Sequence, residues 1–192
     1  MKKILVMAAL AICSFANAQK GTILVGGNIG YSSETVDYTN SETKNNQFSF
    51  SPKVGYQFHD NWTVGGEFTV ASSKNDQGVN EYKTNDFKLG AFVRYSVPLN
   101  QTFSVFADLG AGFQNRKEKD YVGANYTKYK ADGMYVGITP ALFINMKKGF
   151  GLNFSIGGLG YDTLSYDNNG PDVSNFYFNF GQTFNIGISK NF

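Results

Sequence analysis

The sequence has little of what catalytic and disulfide-bonded chains rely on. It holds one cysteine, Cys13, and one histidine, His59, in 192 residues. A single thiol excludes an internal disulfide framework, and a single imidazole excludes a metal site built from spaced histidines and cysteines. Charged side chains make up 17% of the chain, against about 25% in an average soluble domain, and only 4 prolines interrupt it. Neither sign of charge is in excess. Two of the 17 basic residues, Lys2 and Lys3, lie in the opening segment, and the rest balance the 15 acidic ones, which removes the footprint of nucleic-acid binding. After residue 18 no stretch approaches the roughly 20 apolar residues that a spanning helix requires. What is abundant is aromatic and small: 18 Phe, 12 Tyr and 22 Gly. So many rings need an apolar home.

The opening segment, MKKILVMAALAICSFANA, has two lysines, an apolar stretch from Ile4 to Phe15, and Ala16-Asn17-Ala18. This is the pattern of an export signal removed after Ala18, so residues 1–18 are expected to be a signal peptide and 19–192 one barrel domain starting at Gln19. Lipidation at Cys13 is disfavoured because Ile12 stands where a small residue is needed. With the leader gone, no thiol nucleophile remains.

Beyond residue 19 apolar residues recur with period two, the mark of strands whose two faces meet different surroundings. From Phe176 the even positions are Phe176, Phe178, Phe180, Gln182, Phe184, Ile186, Ile188, Lys190 and Phe192, and the odd ones are mostly small and polar. Seven earlier segments repeat the split, at about 22–34, 46–58, 62–71, 85–97, 103–114, 132–146 and 150–161. Eight strands of this kind, most of them with the roughly 9 to 11 residues a tilted strand needs to cross a bilayer, predict an all-β, eight-stranded, antiparallel up-and-down transmembrane barrel. Short connections at 59–61, 98–102 and 147–149 alternate with long polar ones at 35–45, 72–84, 115–131 and 162–175. Both termini therefore belong to the short-turn end, which in an outer-membrane barrel is the periplasmic side.

A soluble sandwich would also alternate, but its polar face would carry sizeable residues. Here that face holds Gly26, Gly30, Gly55, Gly65, Gly90, Gly110, Gly112, Gly137, Gly157, Gly181 and Gly187 among Ser and Asn. Small residues suit the inside of a tightly curved wall, and the apolar face is left for lipid. Phe58, Trp62, Tyr95, Phe103, Phe150 and Phe192 fall at the short-turn ends of strands, where an interfacial girdle is expected, and Tyr31, Phe87, Phe113 and Phe176 at the other end.

On these residues the whole of 19–192 resembles the small outer-membrane barrels of the OmpA/OmpX type, the outer membrane protein β-barrel domain family. The ending FNIGISKNF is similar to that family's C-terminal assembly signal, matched here by Phe184, Ile186, Ile188 and Phe192, with Lys190 departing from it. The resemblance implies a Gram-negative outer membrane, long loops outside the cell, lipid and lipopolysaccharide as neighbours, the barrel assembly machinery as a partner of the last strand, a monomer, and no cofactor.

Inward positions carry Lys53, Glu67, Lys88, Arg94 and Asp108. Counting round the first short turn puts Lys53 opposite Glu67. The same count round 98–102, pairing Val97 with Phe103, puts Asp108 opposite Phe92 and diagonal to Arg94. Unpaired charges in a narrow bore are costly, so linked pairs are expected, either as a structural plug or as a gate. Phe92, Phe106, Tyr135, Phe143, Leu159, Tyr161 and Tyr177 are expected to point inward beside them. Pro52 and Pro140 fall mid-strand, where each removes a ladder hydrogen bond; a bulge or bend is one reading, and a weak place for a lateral exit of the OmpW type is the other. His59 lies in a short turn, away from the outer rim where lipid-modifying barrels keep their catalytic base, and no nucleophile elbow replaces it, so no enzyme is expected. Tyr38, Tyr82, Tyr121, Tyr126, Tyr129 and Tyr166 stud the long connections, and Lys117, Lys119, Lys128 and Lys130 are placed to meet lipopolysaccharide phosphates. The sequence thus points to a structural or surface-interaction role with a plugged interior, or alternatively to a narrow porin or lateral-exit channel for small or hydrophobic solutes.

Overall fold

Strict alternation of a large apolar residue with a small polar one can only be satisfied by a sheet with two different solvents, and closure removes the edges such a sheet would otherwise expose. A computed structural model describes residues 21–38, 41–78, 80–123, 125–147 and 149–192. The expected leader, residues 1–18, lies outside the described residues.

The strands are β1 (Thr22–Tyr38), β2 (Ser41–His59), β3 (Trp62–Asp76), β4 (Asn80–Pro98), β5 (Phe103–Val122), β6 (Asn125–Lys147), β7 (Phe150–Tyr166) and β8 (Asp172–Asn191). Each pairs antiparallel with the next, and β8 returns to β1 to close an eight-stranded barrel. The apolar series faces out: Phe68, Leu89, Val93, Leu109, Val136, Phe178 and Ile186 are all exposed. Inside, Leu24, Phe92 and Phe106 are buried together with the polar Thr63, Arg94, Asp108, Gln114 and Ser189. Glycine makes the inner wall thin enough for these side chains. A Cβ on Gly65 would sit 2.6 Å from the Gly55 Cα and 2.8 Å from the Phe92 ring.

Three expectations are corrected. Most of the described residues of the four long connections are strand rather than loop: β5 and β6 pair without interruption to Val122 and Asn125, and β1 and β2 to Tyr38 and Ser41, while 167–171 stays outside the strands. Their polar residues include β-favouring Thr and Tyr, and each hairpin satisfies its own backbone well past the apolar zone. The second hairpin is shifted by two residues, with Val97 opposite Val105, so Arg94 faces Asp108 directly. The cause is a turn closed locally, in which Asn100 Oδ1 accepts from the Thr102 and Phe103 amides while the Phe103 carbonyl accepts from Leu99 and Asn100.

The third correction concerns β7. Leu159 and Tyr161 point outward, opposite the outward residues Phe178 and Phe176. Against β6, β7 carries one residue more between Ser155 and Leu159 than β6 does between Ala141 and Ile138, and Gly157 (φ 109°) takes it up in a conformation that side chains avoid; the β7–β8 register also slips here, between Ser155 and Gly157. The parity of every later residue in β7 is thereby reversed. Gly157 and Gly181 (φ 76°) belong to this irregularity rather than to the small inner row.

Candidate functional site

The inner faces of five consecutive strands contribute one polar side chain each to a single network across the bore. Lys53 on β2 faces Glu67 on β3, and its Nζ lies 2.8 Å from Glu67 Oε2 and 3.0 Å from Asp108 Oδ2 on β5. Arg94 on β4 holds Asp108 with a two-pronged pair, Nε to Oδ1 at 2.6 Å and Nη2 to Oδ2 at 2.9 Å. The Tyr135 hydroxyl on β6 donates to Glu67 Oε1 at 3.0 Å. Two cations and two carboxylates thus neutralise one another in a row, and the planar guanidinium suits the bidentate contact.

Aromatic rings close the space around the charges. The Arg94 guanidinium carbon lies 3.7 Å from the centre of the Phe106 ring, and Lys53 Nζ lies 5.1 Å from that of Phe92, which is 1% exposed. Both are within cation–π range. Glycines give the network room: a Cβ on Gly110 would stand 2.6 Å from Glu67 Oε1, and one on Gly90 would collide with the Tyr135 hydroxyl. A 60 Å³ space bounded by Lys53, Arg94, Phe106 and Asp108 lies beside the network, and a 180 Å³ space at the short-turn end also touches Arg94 and Phe106.

Lys88 departs from the expected set. No carboxylate lies within ion-pair distance of it among the described residues; its Nζ sits 5.3 Å from the centre of the Tyr135 ring. The reason is register, since its cross-strand neighbours are Thr69 and Gln114, both neutral. Sequence reasoning missed Tyr135 as a hydrogen-bonding member and missed a second ionic layer nearer the long-hairpin end. There Arg116 donates to Asp86 (2.7 and 3.1 Å), and the Tyr166 hydroxyl donates to Glu118 (2.8 Å). Asp86 and Arg116 are direct cross-strand partners, so their even-numbered positions on β4 and β5 held the signal. Above them the bore widens into a cavity of about 680 Å³.

On the outer wall Trp62 packs against Tyr95 with ring centres 4.8 Å apart, and Phe58, Phe103 and Phe150 are also exposed at the short-turn ends of their strands. Phe192 exchanges backbone hydrogen bonds with Ile23, and Lys190 Nζ covers its ring at 4.4 Å. Ile186 and Ile188 are outward; the Phe184 side chain lies outside the described residues. At Pro140 the β6–β7 register slips by one between Ile138 and Ala141, and an apolar groove of 500 Å³ opens outside among Val105, Pro140, Leu142, Ile144, Phe154 and Ile156. Pro52 interrupts the β2–β3 ladder without a slip. On the outer face of the β5–β6 hairpin Lys117 faces Lys130 and Lys119 faces Lys128, one residue pair beyond Asn115–Asp132 and two beyond Phe113–Met134. His59 ends β2 beside the short turn, and no group of metal-ligating residues occurs among the described residues.

Three solved structures are among those similar to this chain. The translocator domain of the autotransporter NalP from Neisseria meningitidis is similar over 91% of this chain at 15% identity (TM-score 0.48), and the chain spans 64% of that domain. Ail, the attachment invasion locus protein of Yersinia pestis, solved with the heparin analogue sucrose octasulfate, is matched over 91% of this chain and 100% of its own at 17% identity (TM-score 0.50). Neisserial surface protein A is matched over 92% and 100% at 13% identity (TM-score 0.49). No curated protein sequence matches the chain. The family model for the outer membrane protein beta-barrel domain matches residues 4–184, so the chain belongs to that family and is a small transmembrane β-barrel of the bacterial outer membrane.

Proposed function

We propose that this barrel is a plugged, non-catalytic element of the outer membrane that meets other molecules at the cell surface through its long hairpins, with both termini in the periplasm. The observation that carries the reading is the five-strand network of Lys53, Glu67, Arg94, Asp108 and Tyr135, packed on Phe92 and Phe106 across the bore. Charges neutralised in a row and tied to five strands brace the wall, and the two carboxylates of the row are each held by a cation. The chain works as a monomer, and its last strand, through Phe184, Ile186, Ile188 and Phe192, is the segment read by the assembly machinery.

The lysine square on β5–β6 supports the surface part of the proposal. Like charges directly opposite each other repel across a sheet, and no carboxylate pairs with Lys117, Lys119, Lys128 or Lys130 among the described residues. A phosphate-bearing partner removes that repulsion. Lipopolysaccharide phosphates stand at this height above the apolar wall.

A second reading, lateral exit of small apolar solutes, is favoured by the groove at Pro140, because Phe106 and Ala141 border both that groove and the 60 Å³ interior space. One experiment separates the two. Planar-bilayer conductance and uptake of a small apolar dye into liposomes are expected to match protein-free membranes. Flux above that background that is altered by Phe106→Ala or Pro140→Ala overturns the plug.

A further inference from the structure

The seam that closes the barrel differs from the other seven. β1 pairs β2 as far as Tyr38 and β8 pairs β7 as far as Asp172, but β1 and β8 pair with each other only from Ile23–Phe192 to Gly27–Ile188. The same register carried further would set Gly30 opposite Asn185. It is not carried further. Residues 31–37 of β1 and 172–178 of β8 are exposed at every position, where a paired wall alternates. Ile29, Tyr31, Phe176 and Phe178 are each about 70% exposed, more than most other outward apolar residues of the wall. β8 explains the parting: residues 181–184 stand where β7 offers Ile156 alone, and Gly181 turns the strand there with φ 76°. Such an excess bends the strand out of the ladder.

Behind the parting lies the 680 Å³ cavity, and both seam strands line it, with Gly30 and Ser32 from β1 and Asn185 from β8. Its other polar lining includes Gln47, Ser73 and Thr84, and its two ions, Asp86 and Arg116, neutralise each other. A charged headgroup would find no unpaired counter-ion in it, whereas hydroxyls would find amide and hydroxyl partners on several strands. The strand edges facing the parting also lack ladder partners within the apolar zone, and hydrocarbon supplies no hydrogen bonds to them.

We propose that the gap between β1 and β8 is a side entrance from the membrane leaflet at the long-hairpin end, and that it holds an amphiphile with an uncharged, hydroxyl-rich head. The head occupies the cavity and supplies hydrogen bonds to the open edges. The acyl chain stays in the leaflet along Ile29, Tyr31, Phe176 and Phe178. The ion-paired plug lies deeper in the bore, so this is a binding site with one opening and is compatible with a barrel that does not conduct.

The test uses the full chain with Cys13→Ser, Gly30→Cys and Asn185→Cys, exported, purified from membranes and reconstituted in phosphatidylcholine nanodiscs. The probe is a dodecyl maltoside with a photoreactive group in its chain. It is expected to label β1 and β8 around Tyr31 saturably, to lose that labelling when a bis-maleimide bridges the two cysteines, and to resist competition by dodecyl phosphocholine. Three results overturn the proposal. One is quantitative disulfide formation on mild oxidation without the probe, which requires the two Cα atoms to lie within bonding reach and hence a closed seam. Another is labelling that the bridge leaves unchanged or that is absent. The third is dimers cross-linked through the same cysteines, which would assign the open edges to a second copy. If Gly30→Cys does not give the heat-shifted folded band, Ser32→Cys with Asn185→Cys carries the same test.

Discussion

The β4–β5 wall and the β1–β8 seam are built from strands of similar composition, yet only one is a finished wall. The β4–β5 ladder runs from Asn80–Val122 to Pro98–Ser104 without a break, and it carries the Arg94–Asp108 pair and the Phe92 and Phe106 rings on its inner face. The β1–β8 ladder stops at Gly27–Ile188, and its inner face offers Asn28, Gly30 and Ser32. Alternation sets which face meets lipid on both. Closure needs something more, a register held in place by side chains that bridge strands, and the seam has small residues where the wall has a charge pair.

The largest effect is expected where the wall is braced. Asp108→Asn deprives Arg94 of its carboxylate, leaving a guanidinium buried without a counter-ion, and this should cost about 3 to 5 kcal/mol of resistance to urea unfolding in lipid vesicles. Replacing both partners, Arg94→Met with Asp108→Leu, should regain most of the loss, because a matched apolar pair carries no desolvation debt. An Asp108→Asn barrel as stable as the parent would show that water, and not Asp108, compensates Arg94.

A smaller effect should distinguish the two faces of that same wall. Gly65→Ala would drive its Cβ into the Val54 carbonyl and the Phe92 ring and should cost about 1 to 3 kcal/mol through overpacking. Gly66→Ala, one residue on, has its nearest neighbour at 3.8 Å and should stay within about 0.5 kcal/mol of the parent. Equal losses in the unfolding midpoint would mean that the inward and outward rows are packed alike, which the structure denies.

Much of this was legible in the sequence because a membrane barrel writes its two solvents into every second residue. Strand number, the inward charges and the Lys53–Glu67 pairing follow from that period and one short turn. The Arg94–Asp108 opposition was misplaced by two residues, since a turn closed by the Asn100 side chain leaves no mark in the alternation. Leu159 and Tyr161 were turned the wrong way because a bulge at Gly157 resets the parity, and a glycine in the small row looks the same as a glycine in a bulge. The long polar segments read as loops because polarity reports water on both faces and says nothing of pairing. For the same reason the open seam has no signature: β1 and β8 alternate as if they were neighbours throughout.

The smallest effect concerns the distal β3–β4 hairpin, which holds its strands together beyond the apolar zone with surface ions where the seam strands hold theirs apart. Lys74 reaches both Glu81 (2.6 Å) and Asp76 (3.1 Å), and Asp76 also accepts from the Gly78 amide. The hydrogen bond from Lys74 is the main cause that holds the Asp76 and Glu81 carboxyls below their ordinary values, and the bond to Glu81 raises the Lys74 ammonium above its own. A lowered carboxyl binds its proton less readily in the folded hairpin than in the unfolded chain, so its contribution is present above the ordinary carboxylate range and is lost as pH falls through the lowered values. A raised lysine contributes below its ordinary value and loses that contribution as pH climbs through the raised one. The hairpin end is therefore tightest between about pH 5 and pH 10 and loosens on the acid side. Amide exchange at Gln77, whose N–H donates to the Asn80 carbonyl at 2.8 Å, reads this locally once corrected for the intrinsic rate. Its protection should drop modestly between pH 6 and pH 3 while that of Val93 in the braced wall stays put, because the groups are fully exposed and screened by salt. Equal protection at both pH values would show that the β3–β4 end is held by its backbone ladder alone, and the difference from the seam would then lie in register and not in charge.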